Sequence, residues 1–203
     1  MLKAKIAVLV SGGGTNLQAL LDSQGDVLTN GEIALVISNN ADAYALERAK
    51  NAGVKTAVVS KKACASQEDF EDKISALIAE NEIDFIVLAG FMCILSERFT
   101  SRYPKRIINV HPSLIPSFCG KGFYGLHVHE AALEYGVKVT GATVHFVNEI
   151  PDGGEIILQK AVDILPDDTP ETLQKRVMQE AEWKILPAAA QLVATSIILG
   201  KKA

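Results

Sequence analysis

An amide and an imidazole stand two residues apart in Asn109-Val110-His111-Pro112, directly after the apolar pair Ile107-Ile108. Side chains alternate faces along a strand, so residues i and i+2 point the same way. Asn109 and His111 can therefore reach one substrate atom together. A hydrogen-bond donor beside a titratable base suits acyl-type chemistry. Pro112 and Pro116 stop the strand and stiffen the loop after it. Taken alone, the pattern equally suits a strand end whose polar residues cap a turn.

A second candidate is Ser11-Gly12-Gly13-Gly14-Thr15-Asn16, between the β-branched run Lys5–Val10 and the helical pattern Leu17, Leu20, Leu21. A loop that opens a helix presents backbone N–H groups and a positive dipole end to an anion. With Gly12 and Gly14 as its first two glycines, a dinucleotide fingerprint would need a third where Leu17 stands, and no Gly-Lys-Ser/Thr of a P-loop follows. A phosphate on a small substrate is the better reading.

Other groups are weaker. Asp152, between Pro151 and Gly153-Gly154, has turn composition, and its interest depends on whether that turn folds over His111. His127 and His129 form a His-x-His pair without further ligands at usual metal spacing. His145 suits a packed core as well as a site. Cys119–Gly125 carries three glycines around Phe123 and Tyr124, and can form a loop over the site.

The elements that must position these groups alternate. Strands are expected at Lys5–Val10, Ile33–Ser38, Lys55–Val59 and Phe85–Ala89, with helices between them; Gly53 stops the second helix and Ser66 caps the third. This predicts an α/β, doubly wound, mostly parallel sheet. Its strand C-termini would gather the Gly12–Asn16 loop, Gly90-Phe91-Met92 and the His111 loop at one edge. A helix near Val128–Glu134 follows. Val139–Val147 and Ile156–Val162 are then expected to pair antiparallel across Ile150–Gly154, and Thr169-Pro170-Glu171 opens a long C-terminal helix that Pro187 should kink or break. The reading is one domain over residues 1–203.

At 203 residues, with 48% hydrophobic and 22% charged residues, the chain has the composition of a soluble globular protein. A net charge of −4 without a basic tract argues against nucleic acid. Three cysteines without a Cys-x-x-Cys pair suit a reducing cytoplasm. The N-terminal run reads as a strand rather than a signal segment, and no apolar stretch is expected to reach the ~18 residues that span a membrane.

Together, Ser11-Gly-Gly-Gly-Thr-Asn-Leu-Gln-Ala, Val87-Leu-Ala-Gly-Phe-Met, Asn109-Val-His-Pro-Ser-Leu-Ile-Pro and Gly141-Ala-Thr-Val-His-Phe-Val with Asp152-Gly-Gly resemble the folate-dependent formyltransferases. Within them, the opening glycine loop is similar to the glycinamide ribonucleotide enzymes of purine synthesis. The resemblance covers nearly the whole chain in the same order. It implies a Rossmann-like formyltransferase fold, with a phosphate-binding half at about 1–110 and a folate side with the terminal helix at about 111–203. It implies Asn109, His111 and Asp152 as catalytic residues; Gly12, Gly13, Gly14, Thr15, Asn16 and Glu182 for the ribonucleotide; and Gln67, Met92, Cys93, Ile94, Leu95 and Asn109 for the folate. The co-substrate would be 10-formyltetrahydrofolate, without metal, in a cytoplasmic monomer or homodimer. His111 would act as an imidazolium, its pKa raised by Asp152.

At two positions the chain departs from many relatives: Gln67 stands where a basic residue is common after the helix-capping serine, and Cys93 where arginine is frequent. Cys119–Tyr124 is also longer than in the shortest relatives. The alternatives are formyltetrahydrofolate hydrolysis, or a folate- or nucleotide-binding module without turnover. Hydrolases of this kind usually carry His-His-Ser at the catalytic histidine and an extra N-terminal domain, whereas this chain has His111-Pro112-Ser113.

Overall fold

The computed structural model describes residues 2–200; residues 1 and 201–203 of the domain read from the sequence lie outside the described residues. The first run forms β1 (Ala4–Val10), and the glycine loop leads into α1 (Thr15–Asp22). Then come β2 (Gly31–Ser38), α2 (Tyr44–Asn51) and β3 (Lys55–Val58). Ser66 accepts a hydrogen bond from the Asp69 amide and caps α3 (Gln67–Glu80) as its residue type predicts. β4 (Phe85–Leu88), the short α4 (Glu97–Thr100) and β5 (Ile107–His111) follow. The rest comprises α5 (Leu126–Tyr135), β6 (Val139–Phe146), β7 (Ile156–Asp163), α6 (Pro170–Val177) and α7 (Trp183–Gly200).

These strands make one seven-stranded sheet in the order β3-β2-β1-β4-β5-β6-β7. β1 pairs parallel with both β2 and β4, and β4 parallel with β5, whereas β5–β6 and β6–β7 are antiparallel. The mixed, mostly parallel sheet expected from the alternation is therefore present. The chain winds outward from β1 to β3 and then restarts at β4 on the other side of β1. Loops leaving β1 and β4 diverge there, and such a crevice receives ligands in open α/β sheets.

Burial explains the arrangement. All four residues of β4 are buried, because helices cover both faces of the sheet. On one face Leu17, Leu20, Ala45 and the C-terminal helix pack on Ile6, Val8 and Val10; on the other Phe70, Ile74 and Ile78 pack on Ala7, Leu9 and Ile37.

Two expectations need correction. Of the kink or break expected at Pro187, the break is absent: the C-terminal helix continues to Gly200, after a π-helical turn at Met178–Glu182. An interior proline costs roughly 3 kcal/mol. Leu186, Ala189, Ala190 and Val193 are buried around it, which offsets that cost. The helical stretch Pro170–Gly200 also has an 18-residue window of mean hydropathy 1.4, long and apolar enough to cross a membrane by length and composition. Joining α6 to α7 makes it so long; its inner residues, Ile185, Leu186 and Val193 among them, pack into the core below the sheet.

Candidate active site

Strand alternation places the first pair as the sequence predicts. Ile108 and Val110 enter the core under α1 and α7, while Ile107 enters the opposite core. Asn109 and His111 therefore share the face of Ile107. Asn109 pairs in register with His145 of the antiparallel β6, so these side chains stand beside each other. The Asn109 Nδ2 atom lies 3.3 Å from His145 Nε2. His145 Nδ1 lies 2.8 Å from the Phe146 carbonyl, which accepts only, so Nδ1 donates to it and Nε2 faces Asn109.

The turn bearing Asp152 does fold over this pair. Asp152 adopts a left-handed backbone, φ 56°, and a side chain on Gly154 would collide with the Phe146 carbonyl, so the turn hugs the end of β6. Its Oδ2 lies 3.5 Å from His111 Nδ1 and accepts from the Gly120 amide at 2.8 Å; its Oδ1 lies 3.6 Å from His145 Nε2. On the far side, His111 Nε2 donates to the Phe118 carbonyl at 2.8 Å. The segment after Pro116 thus closes over the histidine as its glycines allow, with Phe118 itself at φ 48°.

Asp152 raises the His111 pKa as expected, but burial outweighs it. Burial pushes the His111 ring down, and the Asp152 carboxylate and Phe118 carbonyl, which pull it up, do not overcome that. His111 is 4% exposed, so desolvation wins. Burial likewise pushes the Asp152 carboxyl up, but His145, His111 and the Gly120 amide together hold it below its ordinary value. The pair therefore rests as neutral ring and carboxylate, poised to receive a proton on Nδ1.

A cleft of about 130 Å³ opens beside these groups, lined by Leu88, Phe91, Cys93, Ile94, Leu95, Asn109, His145 and the 147–152 turn. Of the residues assigned to folate from the sequence, Cys93, Ile94, Leu95 and Asn109 line it. Gln67 does not: it donates to Glu71 and to the Ile94 carbonyl, bracing the Gly90–Leu95 loop from beneath. Met92 does not line it either: it is 61% exposed, with its amide donating to Ser11 Oγ.

The glycine loop lies where this bond joins the ends of β1 and β4. Gly14 is left-handed, φ 73°, and so close to Ala45 that a Cβ would sit 2.6 Å from the alanine Cβ. The carbonyls of Gly12 and Gly13 are taken by the Ala45 amide and Arg48. The first amides of α1 have no acceptor within the helix. Asn16 donates to the buried Glu182 at 2.7 Å, and its own Oδ1 is buried without a partner. Burial pushes the Glu182 carboxyl up to about 7, with Asn16 opposing. Two of the residues assigned to the ribonucleotide from the sequence, distant along the chain, are thus in contact.

His145 is the residue that sequence reasoning left undecided, and only its register opposite Asn109 marks it. The His-x-His pair divides: His127 is exposed beside Glu130, whereas His129 is fully buried with both nitrogens unpartnered and is pushed down to about 4 by burial. Among the described residues no group of three or more His, Cys, Asp or Glu converges as metal ligands do. Cys64, Cys93 and Cys119 are free thiols.

Comparison with known proteins matches residues 4–190 to the formyl transferase family. The phosphoribosylglycinamide formyltransferase of Haemophilus influenzae is 45% identical over 185 residues, 90% of this chain and 84% of that protein. The human trifunctional purine biosynthetic protein adenosine-3 is 47% identical over 97% of this chain, which spans only 19% of that longer protein. The crystal structure of glycinamide ribonucleotide transformylase 1 from Symbiobacterium toebii superposes with a TM-score of 0.89 at 43% identity, covering 96% of this chain and 89% of that one.

Proposed function

The chain belongs to the formyl transferase family, and we propose that it moves the formyl group of 10-formyltetrahydrofolate to the amine of 5'-phosphoribosylglycinamide, giving the N-formyl product and tetrahydrofolate in purine synthesis. The observation that carries this reading is the convergence of Asn109, His111, His145 and Asp152 beside the cleft, with the Gly12–Asn16 loop at the same sheet edge. A ribonucleotide with its phosphate held at the loop would bring its amine to a formyl donor in the cleft at Asn109.

The amine attacks the formyl carbon, and a carbon–nitrogen bond forms as the carbonyl electrons move to oxygen. The Asn109 amide has two N–H bonds; His145 engages one, and the other donates to the developing oxyanion. Such a contact contributes roughly 10²–10³ in rate. The amine then loses a proton, which neutral His111 accepts, directly or through a bridging water. Asp152 stabilises the imidazolium for the lifetime of the intermediate. Collapse breaks the bond to the folate nitrogen, which takes the proton back.

The ribonucleotide's phosphate is assigned to Gly12, Gly13, Gly14, Thr15 and Asn16, and its ribose to Asn16 with Glu182. The whole of 1–203 is read as one cytoplasmic formyltransferase domain, as monomer or homodimer, without a metal. Hydrolysis finds no support in the relatives described above, which are named as formyltransferases or as a trifunctional purine protein. The test is formyl transfer by the purified chain with both substrates. Turnover that depends on the ribonucleotide supports the assignment; formate release without it would favour the hydrolase, and tight binding without reaction a binding module.

A further inference from the structure

The glycine loop is aimed from behind. Its three carbonyls are all engaged: Gly12 accepts from the Ala45 amide at 3.0 Å, Gly13 from Arg48 Nε at 2.8 Å and Gly14 from the Gln18 amide at 2.9 Å. In a trans peptide the C=O of one residue and the N–H of the next point opposite ways. Carbonyls bound to α2 therefore turn the Gly13 and Gly14 amides away from α2, and the Gly14 carbonyl sends the Thr15 amide out of the start of α1. Among the described residues nothing accepts from the amides of residues 12–17.

Of the three carbonyls, only that of Gly13 is held by a side chain. Its peptide unit lies between two glycines, so little in the backbone resists its rotation. Rotation would put a carbonyl oxygen where the Gly14 amide now points, and an oxygen there repels an anion. Arg48 is braced against this. Its Nη1 donates to Gln18 Oε1 at 3.0 Å, and its Cζ lies 5.0 Å from the centre of the Tyr44 ring. Gln18 is tied in turn to Asp22 at 2.8 Å. These contacts fix the plane of the guanidinium fork, which a lysine ammonium cannot reproduce.

We propose that Arg48 is a positioning residue for the ribonucleotide's phosphate: by holding the Gly13 carbonyl against α2 it keeps the Gly14 amide aimed at the anion. The proposal rests on the formyl-transfer reading above and adds to its phosphate site a residue from outside the loop. Arg48 then acts on affinity through the phosphate alone, and an acceptor without one gains nothing from it.

The experiment compares glycinamide ribonucleotide with its 5'-dephosphorylated riboside as acceptors, in the parent and in Arg48→Met, which keeps an unbranched stem and removes the donors. The variant should raise the ribonucleotide KM by about tenfold, the order of one hydrogen bond to a charged group. Its kcat at saturation, its donor KM and its kcat/KM for the riboside should stay within about twofold of the parent. The preference for the phosphorylated acceptor thus falls by about tenfold. Equal losses with both acceptors would mark a general structural role, and an unchanged ribonucleotide KM would mean that the loop needs no such hold. Either result overturns the proposal while leaving formyl transfer intact. Should Arg48→Met fail to fold, Arg48→Lys carries the test: it keeps the charge without the fork, and the preference should still fall by about threefold or more. A parent-like preference in Arg48→Lys would show that charge alone suffices, and would overturn the positioning role. No transfer to either acceptor by the parent overturns the formyl-transfer reading and this proposal with it.

Discussion

Asp152 Oδ2 lies 3.5 Å from Nδ1 of His111, bringing a glycine-flanked turn after β6 against the last residue of β5. The other His111 nitrogen is committed to the Phe118 carbonyl, so protonation of the ring must occur on the side facing the carboxylate. The geometry makes Asp152 a partner for the charged ring, while burial keeps the resting ring neutral.

Asp152→Asn tests that division. The carboxylate pulls the His111 pKa up against a larger downward effect of burial. Its removal should lower that pKa further and move the acidic limb of the kcat/KM–pH profile to lower pH. The rate on the plateau should fall by about 10²-fold, because the imidazolium loses its counter-charge. A profile and rate matching the parent would reduce Asp152 to a turn residue.

His111→Ala should lower kcat by about 10²–10⁴-fold with little change in either KM, since the ring acts on the moving proton rather than in binding. Asn109→Ala should also lower kcat, by about 10²–10³-fold. Steady-state kinetics with each substrate varied separates these losses from weakened binding.

The glycine loop offers a structural control. Gly14 has positive φ and abuts Ala45, so Gly14→Val strains the fold itself. A Cβ on Gly13 meets nothing within 4 Å. Gly13→Val should therefore melt within a few degrees of the parent, about what an unremarkable surface substitution costs. It should raise the ribonucleotide KM by about tenfold or more by obstructing close approach of a phosphate, and leave the donor KM alone. Normal ribonucleotide affinity in this variant would remove the phosphate from the loop.

Glu182 links stability to pH. Burial raises its folded-state pKa to about 7, above the ordinary 4.5. The folded state thus holds the proton more tightly, and the stability this contributes is present below about 4.5 and lost as pH rises through about 7. Glu182→Gln keeps an acceptor for Asn16 and removes the charge. Urea midpoints at pH 5 and pH 8 should converge in the variant and differ more in the parent; equal pH dependence in both would show that Glu182 does not titrate in this range.

Much of the fold was legible along the chain because its signals are local. Ser66 caps α3 through an amide three residues ahead, Gly14 turns the backbone left-handed before α1, and the apolar run at β4 reports helices on both faces. Asn109 and His111 share a face because alternation is a property of one strand. Contacts made across the sheet had no such signature. His145 was ambiguous until β6 set it opposite Asn109, and Asp152 had only turn composition until that turn closed on two imidazoles. For His111 the sequence supplies a neighbouring charge, but not the depth of burial that outweighs it. Pro187 broke nothing because the core around it holds the helix together. Residue type and spacing determined the elements and the chemistry each could carry; desolvation and cross-strand register, which arise only when distant segments pack, decided which groups meet and in what charge state.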